Sequence, residues 1–262
     1  MRRRRRKRQL RDRALAFQRR FEDRLAGRTE PVTCGTAIFR PDLPRVFDFN
    51  FVRVEQPDPP EAIALASEAD RVQAAAGLLH RKIVLEHETG GEVLADDLRV
   101  LGWLPDRLVL MVCDRPPAAP VEAPAELVEP HELLPAQELN ILKDPHERSP
   151  ELVHQLLGAE VARAESFPTR GVAVRAEEGI ASWCLLYLED GVAQIDQVTT
   201  LPEHRGRGYA NAVVRAAAAA AARSGAELVF LWADDRDWPK QWYERLGFEP
   251  LARRYAFLRR PS

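Results

Sequence analysis

The chain has 262 residues, of which 45% are hydrophobic and 30% charged. This is enough for one large domain or two ordinary domains with buried cores, and it excludes a disordered or collagen-like chain. The 38 Lys and Arg and 40 Asp and Glu give a net charge of -2, yet residues 1–28 carry 13 basic side chains against 3 acidic ones. We therefore expect an acidic folded body after a basic N-terminal arm, residues 1–28.

The three cysteines, Cys34, Cys113 and Cys184, stand far apart and form no C-x-x-C pair or zinc-finger spacing. We therefore expect no disulfide framework and no metal site, and a reducing cytoplasm fits this cysteine usage. No apolar run approaches the roughly 20 residues that a bilayer span requires. The basic start leads into apolar residues interleaved with charges, so we expect no cleaved signal, no membrane anchor and a cytoplasmic location.

Residues 10–26 have apolar positions spaced for one side of a helix. These positions are Leu10, Ala14, Phe17, Phe21 and Leu25. Because arginines occupy the other side, the segment predicts a basic amphipathic helix. Two interpretations stay open: an arm that contacts RNA, DNA or anionic lipid through its clustered arginines, or a solvated tail.

Short β-rich runs alternate with helix-like runs from Thr36 to Cys113. The strands are predicted at 37–39, 49–54, 82–85 and 108–112, and the helices at 60–76 and 92–101. This alternation predicts a mixed α/β sheet with helices on its faces. We assign residues 29–114 to a first lobe.

A proline-rich stretch follows the first lobe, with six prolines between Pro116 and Pro135. Each proline removes a backbone donor and disfavours helix in the residue before it. The stretch therefore predicts a semi-rigid linker, placed at 115–124, and a second domain from 125 to 262.

The second domain begins with a predicted helix at 150–165, followed by three strands. Those strands, at 171–176, 180–188 and 192–200, are separated by two acidic turns that end in glycine, which predicts an antiparallel meander. The later elements are a helix at 209–224, a strand at 228–233, a helix at 239–246 that ends at Gly247, and a strand at 255–258.

A strand end and a helix start enclose the motif Arg205-x-x-Gly208-x-Ala210. The free N–H groups of a first helical turn and the positive end of the helix dipole favour an anion at such a place. Gly206 and Gly208 let the backbone wrap closely around a phosphate, and Arg205 and Arg207 can add charge-assisted hydrogen bonds. The loop therefore predicts a pyrophosphate site.

Two motifs in this order, Arg205-x-x-Gly208-x-Ala210 and Tyr243-x-x-x-Gly247-Phe248, make the chain from about Ala125 onward similar to the GNAT superfamily of acyl-CoA-dependent N-acetyltransferases. The resemblance implies a mixed, mostly antiparallel GNAT-type sheet flanked by helices. It implies transfer of an acetyl group from acetyl-CoA to a primary amine by direct attack in a ternary complex. An unrelated phosphate-binding α/β domain is the alternative.

The resemblance also implies which residues form the site. The backbone of Val198, Thr199 and Thr200 would hold the pantetheine arm like an added strand, which requires that strand to splay from the next one. The coenzyme A pyrophosphate would lie on the loop of Arg205, Gly206, Arg207, Gly208, Tyr209 and Ala210. Tyr243 would protonate the leaving thiolate as a general acid.

The amine must lose a proton, so a general base is also sought. Asp196 is preferred, because alternation along its strand turns one set of side chains toward the cleft. The other candidates are Glu165, Asp234 and Asp235, and a site without a dedicated base stays open. His204 is interpreted as a loop residue and Cys184 as strand packing.

The first lobe carries a weak echo of the second domain, since Leu-Gly-aromatic recurs at Leu101-Gly102-Trp103 and Leu246-Gly247-Phe248. Residues 36–114 therefore resemble a degenerate GNAT lobe. Where a phosphate loop is expected, at 55–60, this lobe has prolines and acids but no glycine, and Leu98 stands where the second domain has Tyr243. We expect this lobe to bind no acyl-CoA.

Two other functions stay open beside the enzyme. One is a non-catalytic acyl-CoA sensor, and the other is a nucleic-acid- or ribosome-associated protein that uses the basic arm. The expected partners are a small-molecule or peptide amine, nucleic acid only through the arm, and no membrane, for a monomer or homodimer. The acidic body favours cationic acceptors.

Overall fold

This computed structural model describes residues 2–114, 116, 124–144 and 149–260. The chain divides into two compact units. Unit 1 comprises Met1–Phe17, Met111–Trp232 and Gln241–Pro250, and unit 2 comprises Gln18–Leu110, Ala233–Lys240 and Leu251–Ser262.

Helices and strands alternate along both units. The helices are α1 (Arg2–Leu25), α2 (Ala62–Ala75), α3 (Glu88–Val100), α4 (Leu134–Lys143), α5 (Pro150–Ser166), α6 (Tyr209–Arg223) and α7 (Pro239–Arg245). The strands are β1 (Arg28–Val32), β2 (Gly35–Phe39), β3 (Phe51–Val54), β4 (Arg81–Leu85), β5 (Leu104–Asp114), β6 (Ala125–Val128), β7 (Thr169–Ala176), β8 (Gly179–Glu189), β9 (Val192–Thr200), β10 (Leu228–Asp234) and β11 (Glu249–Arg259).

The sheet of unit 1 has the order β10-β9-β8-β7-β6. Strands β6, β7, β8 and β9 pair antiparallel, and β9 pairs parallel with β10. The predicted meander is confirmed as β7, β8 and β9. Helix α6 packs on β8 and β9 through the buried alanines 216–221, whose short side chains let the helix approach the sheet closely.

Helix α1 belongs to the folded core rather than to a solvated tail. In unit 1, Ala14 and Phe17 are fully buried. The ring of Phe17 lies edge-on to Phe167, at 5.0 Å between centroids, and to Phe230, at 5.4 Å. Arg13 adds an ion pair with Glu227 at 3.1 Å. The predicted apolar face is therefore confirmed.

Unit 2 has the sheet order β1-β2-β3-β4-β11. Strand β3 pairs parallel with β4, and the other neighbours pair antiparallel. The C-terminal strand thus lies in unit 2, with Tyr255 opposite Leu85. This grouping differs from the expected domain at 125–262, because the backbone partners of the last strand lie on β4, which no local pattern reveals.

Regular structure begins directly after the predicted linker at 115–124. Strand β6 pairs with β7 directly after Pro124, and Pro135 lies in the first turn of α4. Proline is tolerated there because its missing N–H has no helical partner. The remainder of the linker, residues 115 and 117–123, lies outside the described residues.

The Leu-Gly-aromatic motif that recurs in the two halves forms the same helix cap in each. Gly102 has φ +83° and Gly247 has φ +92°, the left-handed conformation that ends a helix. The amide of Trp103 donates to Leu98 at 3.0 Å, and the amide of Phe248 donates to Tyr243 at 3.1 Å. Each cap folds an aromatic residue back against its own helix.

No helix within the described ranges is both long and apolar enough to cross a membrane.

Replacing Phe17 by alanine tests whether α1 is part of the core. Because the ring is fully buried between two aromatic residues, we expect Phe17→Ala to lower the free energy of unfolding by about 3–5 kcal/mol. The exposed Gln9→Ala control should stay within about 0.5 kcal/mol of the parent. Urea unfolding followed by circular dichroism measures both, and equal midpoints would contradict the packing of α1.

Candidate functional site

Strand β9 is paired on both edges only along its first part. Its parallel register with β10 covers Val192, Ala193 and Gln194, opposite Leu228 to Phe230, and then ends. The remaining residues of β9, from Asp196 to Thr200, are partly exposed. The expected splay is therefore present. After Gln194, the edge of β9 that faced β10 has no partner among the described strands.

A β-bulge sits where the two strands part. Leu185 of β8 lies opposite Asp196, whereas Trp183 lies opposite Thr199, so two residues of β9, Gln197 and Val198, face one residue of β8 and β9 holds one extra residue there. Gln197 has φ +53°, and its amide donates to the Asp196 carboxylate at 2.9 Å. The bulge re-aims the following strand.

The bulge decides which backbone groups reach the open edge. The Ser182 hydroxyl donates to the carbonyl oxygen of Thr199 at 2.8 Å, so the Thr199 backbone faces β8. Because successive residues of a strand point their backbone groups to opposite edges, Val198 and Thr200 face away from β8. Of the three residues expected to hold a pantetheine arm, these two are placed to do so.

The loop after β9 presents a row of free amides. The amide of Arg205 donates to Pro202 at 3.3 Å, and the next bonded amide along the chain is that of Ala212, which donates to Gly208 at 3.2 Å. Across the described chain, the amides of residues 206–211 find no internal acceptor. Gly206 and Gly208 have φ +75° and +78°, with open space where a Cβ would stand. We call residues 206–211 the cradle, and its free amides are therefore accessible to a ligand.

Two arginines flank this cradle. Arg205 donates to the carbonyl oxygen of Thr200 at 3.3 Å, and Arg207 donates to that of Glu203 at 3.5 Å. Both side chains are exposed, and neither forms an ion pair with a described carboxylate. Lys143 fastens the end of α4 to the loop by donating to Glu203 at 2.6 Å.

Tyr243 lies on α7 and is only 7% exposed. Its neighbour Trp242 donates its indole N–H to the side chain of Asn211, in the first turn of α6, so the helix of the cradle also positions α7. Burial raises the pKa of Tyr243, and the nearby Cys184 and Asp196 raise it further. The phenol therefore keeps its proton at neutral pH.

The structure brings Asp196 and Tyr243 into one region, since the charge of the carboxylate raises the pKa of the phenol. Another candidate for the base is Asp235. Asp235, in unit 2, forms ion pairs of 2.7 Å with Arg107, Lys240 and Arg253. Although burial opposes it, its hydrogen bonds to Lys240 and Arg253 lower the pKa of Asp235. A carboxylate held in this way is a structural ion-pair partner, not a general base.

The remaining candidates for the base are Asp234 and Glu165. Asp234 belongs to unit 2 and accepts the amide of Arg236. Glu165 is exposed on α5. Burial raises the pKa of Cys184 well above its ordinary range, which fits strand packing and not a nucleophile. His204 lies half-buried in the loop, as expected.

No pattern in the sequence indicates a polar cluster beside Asp196. Gln137 of α4 donates to Glu160 of α5 at 3.1 Å and to Gln197 at the bulge at 3.2 Å. Burial raises the pKa of Glu160, against the effect of Arg163. Because α4 was not predicted, no sequence signal pointed to Gln137.

The first lobe offers no comparable opening in unit 2. Strand β3 stays paired with β4 through Val54 opposite Leu85, and the amide of Glu86 donates to Val54 at 3.3 Å. The strands therefore do not part where an acyl-CoA arm would enter.

The described residues contain no group of three or more His, Cys, Asp or Glu side chains placed to hold a metal ion.

Comparison with known families agrees with this geometry. Residues 168–250 match the family described as the acetyltransferase (GNAT) domain. This match covers the meander, the cradle and α7, and it identifies that segment as a GNAT domain. No curated protein matches the sequence.

Solved structures share the fold at low sequence identity. A functionally unknown conserved protein from Staphylococcus epidermidis is 15% identical, with a TM-score of 0.71 over 89% of this chain and 93% of that one. A GCN5-related N-acetyltransferase from Kribbella flavida is 17% identical, with a TM-score of 0.62 over 95% of each chain. A tandem GNAT protein from the clavulanic acid biosynthesis pathway is 17% identical, with a TM-score of 0.52 over 80% of this chain and 75% of that one. The fold is therefore a GNAT fold.

Proposed function

We propose that the GNAT domain of this chain transfers an acetyl group from acetyl-CoA to a primary amine by direct attack in a ternary complex. One observation carries the proposal: in unit 1, the free amides of residues 206–211 and the open edge of β9 lead toward Asp196 and Tyr243. Family and fold support acetyl-CoA-dependent acetyl transfer in general.

The residues present fit coenzyme A at both ends of its path. A pyrophosphate matches the row of amides at the start of α6, the positive end of that helix, and the unpaired guanidinium groups of Arg205 and Arg207. A pantetheine arm contains two amide groups, which can hydrogen-bond as a strand does to the outward-facing backbone of Val198 and Thr200.

Acetyl transfer requires a proton acceptor for the amine and a proton donor for the leaving sulfur. The neutral amine nitrogen attacks the thioester carbonyl carbon, an amide bond forms, and the carbon–sulfur bond breaks with its electron pair on sulfur. Asp196 accepts the nitrogen's proton directly or through water, and the sulfur ends as the protonated thiol of coenzyme A. Because Tyr243 keeps its proton, it can donate its O–H to the developing thiolate.

A carboxylate placed in the cradle tests the cofactor assignment. Gly208→Glu puts a negative charge against the expected pyrophosphate, and we expect it to weaken acetyl-CoA binding by about 100-fold or more, since charge-assisted hydrogen bonds are worth about 1.5–3 kcal/mol each. The matched control is Gly225→Glu at the other end of α6, where φ is +85° and the space is equally open. Calorimetric titration with acetyl-CoA compares them, and equal affinities would refute the cradle.

Removing the phenol oxygen tests the acid. We expect Tyr243→Phe to lower kcat by about 100-fold, the usual scale of general acid catalysis, while the Kd for acetyl-CoA stays unchanged. Tyr255→Phe, a buried tyrosine of unit 2, serves as the control. Acetyl transfer is measured with an amine found active in a panel of amino acids, polyamines, aminoglycosides and peptide N-termini. An unchanged kcat would remove Tyr243 from the mechanism.

Removing the carboxylate charge tests the base. Asn keeps an acceptor for the amide of Gln197, so Asp196→Asn should fold normally. We expect its kcat/KM to fall most near pH 7, where the amine is protonated, and to approach the parent value as the pH nears about 10, where solution supplies the neutral amine. The pH–rate profile decides, because a deficit that is constant with pH would exclude Asp196 as the base.

A further inference from the structure

A cavity of about 380 Å³ opens in unit 1. Helices α4 and α5 and strands β7 and β8 contribute to its wall. The wall includes Leu134, Gln137, Glu160, Glu165, Phe167 and Leu185. Leu185 lies opposite Asp196 in the β8–β9 register, so the cavity adjoins the reaction centre.

The wall of this cavity holds an unsatisfied acceptor. Gln137 is 5% exposed, and its amide nitrogen donates to both Glu160 and Gln197. Its carbonyl oxygen, in contrast, is buried and meets no donor among the residues that the structure describes. Such a group costs about 1–3 kcal/mol when it is left unpaired. A ligand that brings an N–H donor would remove this cost.

Carboxylates outnumber cations around the same cavity. Glu160 and Glu165 line it together with Glu129, and Glu165 forms no ion pair within the described chain. Arg163 forms an ion pair with Glu160 at 2.6 Å. The one guanidinium of the lining, Arg170, lies 3.8 Å from Glu129 and donates to the backbone of Thr169. The cavity therefore favours a cation and offers a carboxylate no free partner.

Apart from His131 and Thr169, the rest of the wall is apolar. Phe167 and Leu185 are almost fully buried, and Leu134 and Ala164 complete the wall beside them. The volume is near the lower end of the range for ligand pockets. It suits the body of a small molecule rather than a folded protein surface.

We propose that this cavity is the acceptor site, and that the acceptor is a small primary alkyl amine with an apolar body and without a carboxylate. Its ammonium group enters toward Gln137 and Glu165, and its apolar body lies against Phe167 and Leu185. This assignment rests on the proposed acetyl transfer, because the cavity adjoins Asp196.

The probe for this site is 2-phenylethylamine, and its comparison ligand is phenylalanine, which adds only a carboxylate. We expect 2-phenylethylamine to bind at least 10-fold more tightly, in calorimetric titrations with and without coenzyme A. In turnover, it should be acetylated with the lower KM. Equal or tighter binding of phenylalanine would overturn the proposed class of acceptor.

The unsatisfied carbonyl is tested by Gln137→Leu, which we expect to weaken 2-phenylethylamine binding about 10-fold while the Kd for acetyl-CoA stays unchanged. Gln137→Glu keeps an acceptor and should restore binding. The control is Gln155→Leu, a buried glutamine of α5 outside the cavity. Because Gln137→Leu also loses two internal hydrogen bonds, a second variant, Glu165→Gln, changes an exposed side chain and leaves folding intact. We expect Glu165→Gln to weaken 2-phenylethylamine binding about 3-fold. Equal affinity for the amine in all these variants would overturn the site.

The two proposals fail in distinguishable ways. If acetyl-CoA binds and another class of amine is acetylated while 2-phenylethylamine does not bind, the acceptor site is wrong and the acetyl transfer stands. If 2-phenylethylamine binds in the pattern above but acetyl-CoA does not, the amine site stands and the acetyl transfer is wrong.

Discussion

The parting of β9 from β10 is the constraint on which the site in unit 1 depends. Parallel pairing ends after Gln194, and from there the strand can no longer satisfy its outer edge within the sheet. Exposed strand edges invite an added strand. The bulge at Gln197 re-aims the strand there, so Val198 and Thr200 turn toward the opening while Asp196 stays beside Tyr243.

Charge is arranged with opposite signs at the two ends of the open part of β9. The C-terminal end leads into free amides and two arginines without carboxylate partners, which suits an anion. The other end meets Asp196 and an unpaired amide oxygen, which suits a cation. The reaction that we propose, between a phosphorylated thioester and an amine, needs both, held apart until the reacting atoms meet.

The two halves show that a shared local motif does not make a shared site. Gly102 and Gly247 end their helices with the same hydrogen-bond pattern, and a buried aromatic residue follows each. Yet β3 remains paired with β4 to its end, whereas β9 leaves β10 early. The proposed function therefore depends on strand separation, which the cap does not control.

The sequence by itself determined the features that depend on neighbouring residues. The glycines at 206 and 208, the start of α6, the meander with its glycine turns and the cap at Gly247 follow from local conformational preference. The tertiary structure decided the rest: helix α4 after a run of prolines, the bulge at Gln197, and the cluster of Gln137 with Glu160. These depend on contacts between residues far apart in the chain, because a proline, a glutamine or a strand residue has no local preference that reveals its distant partner.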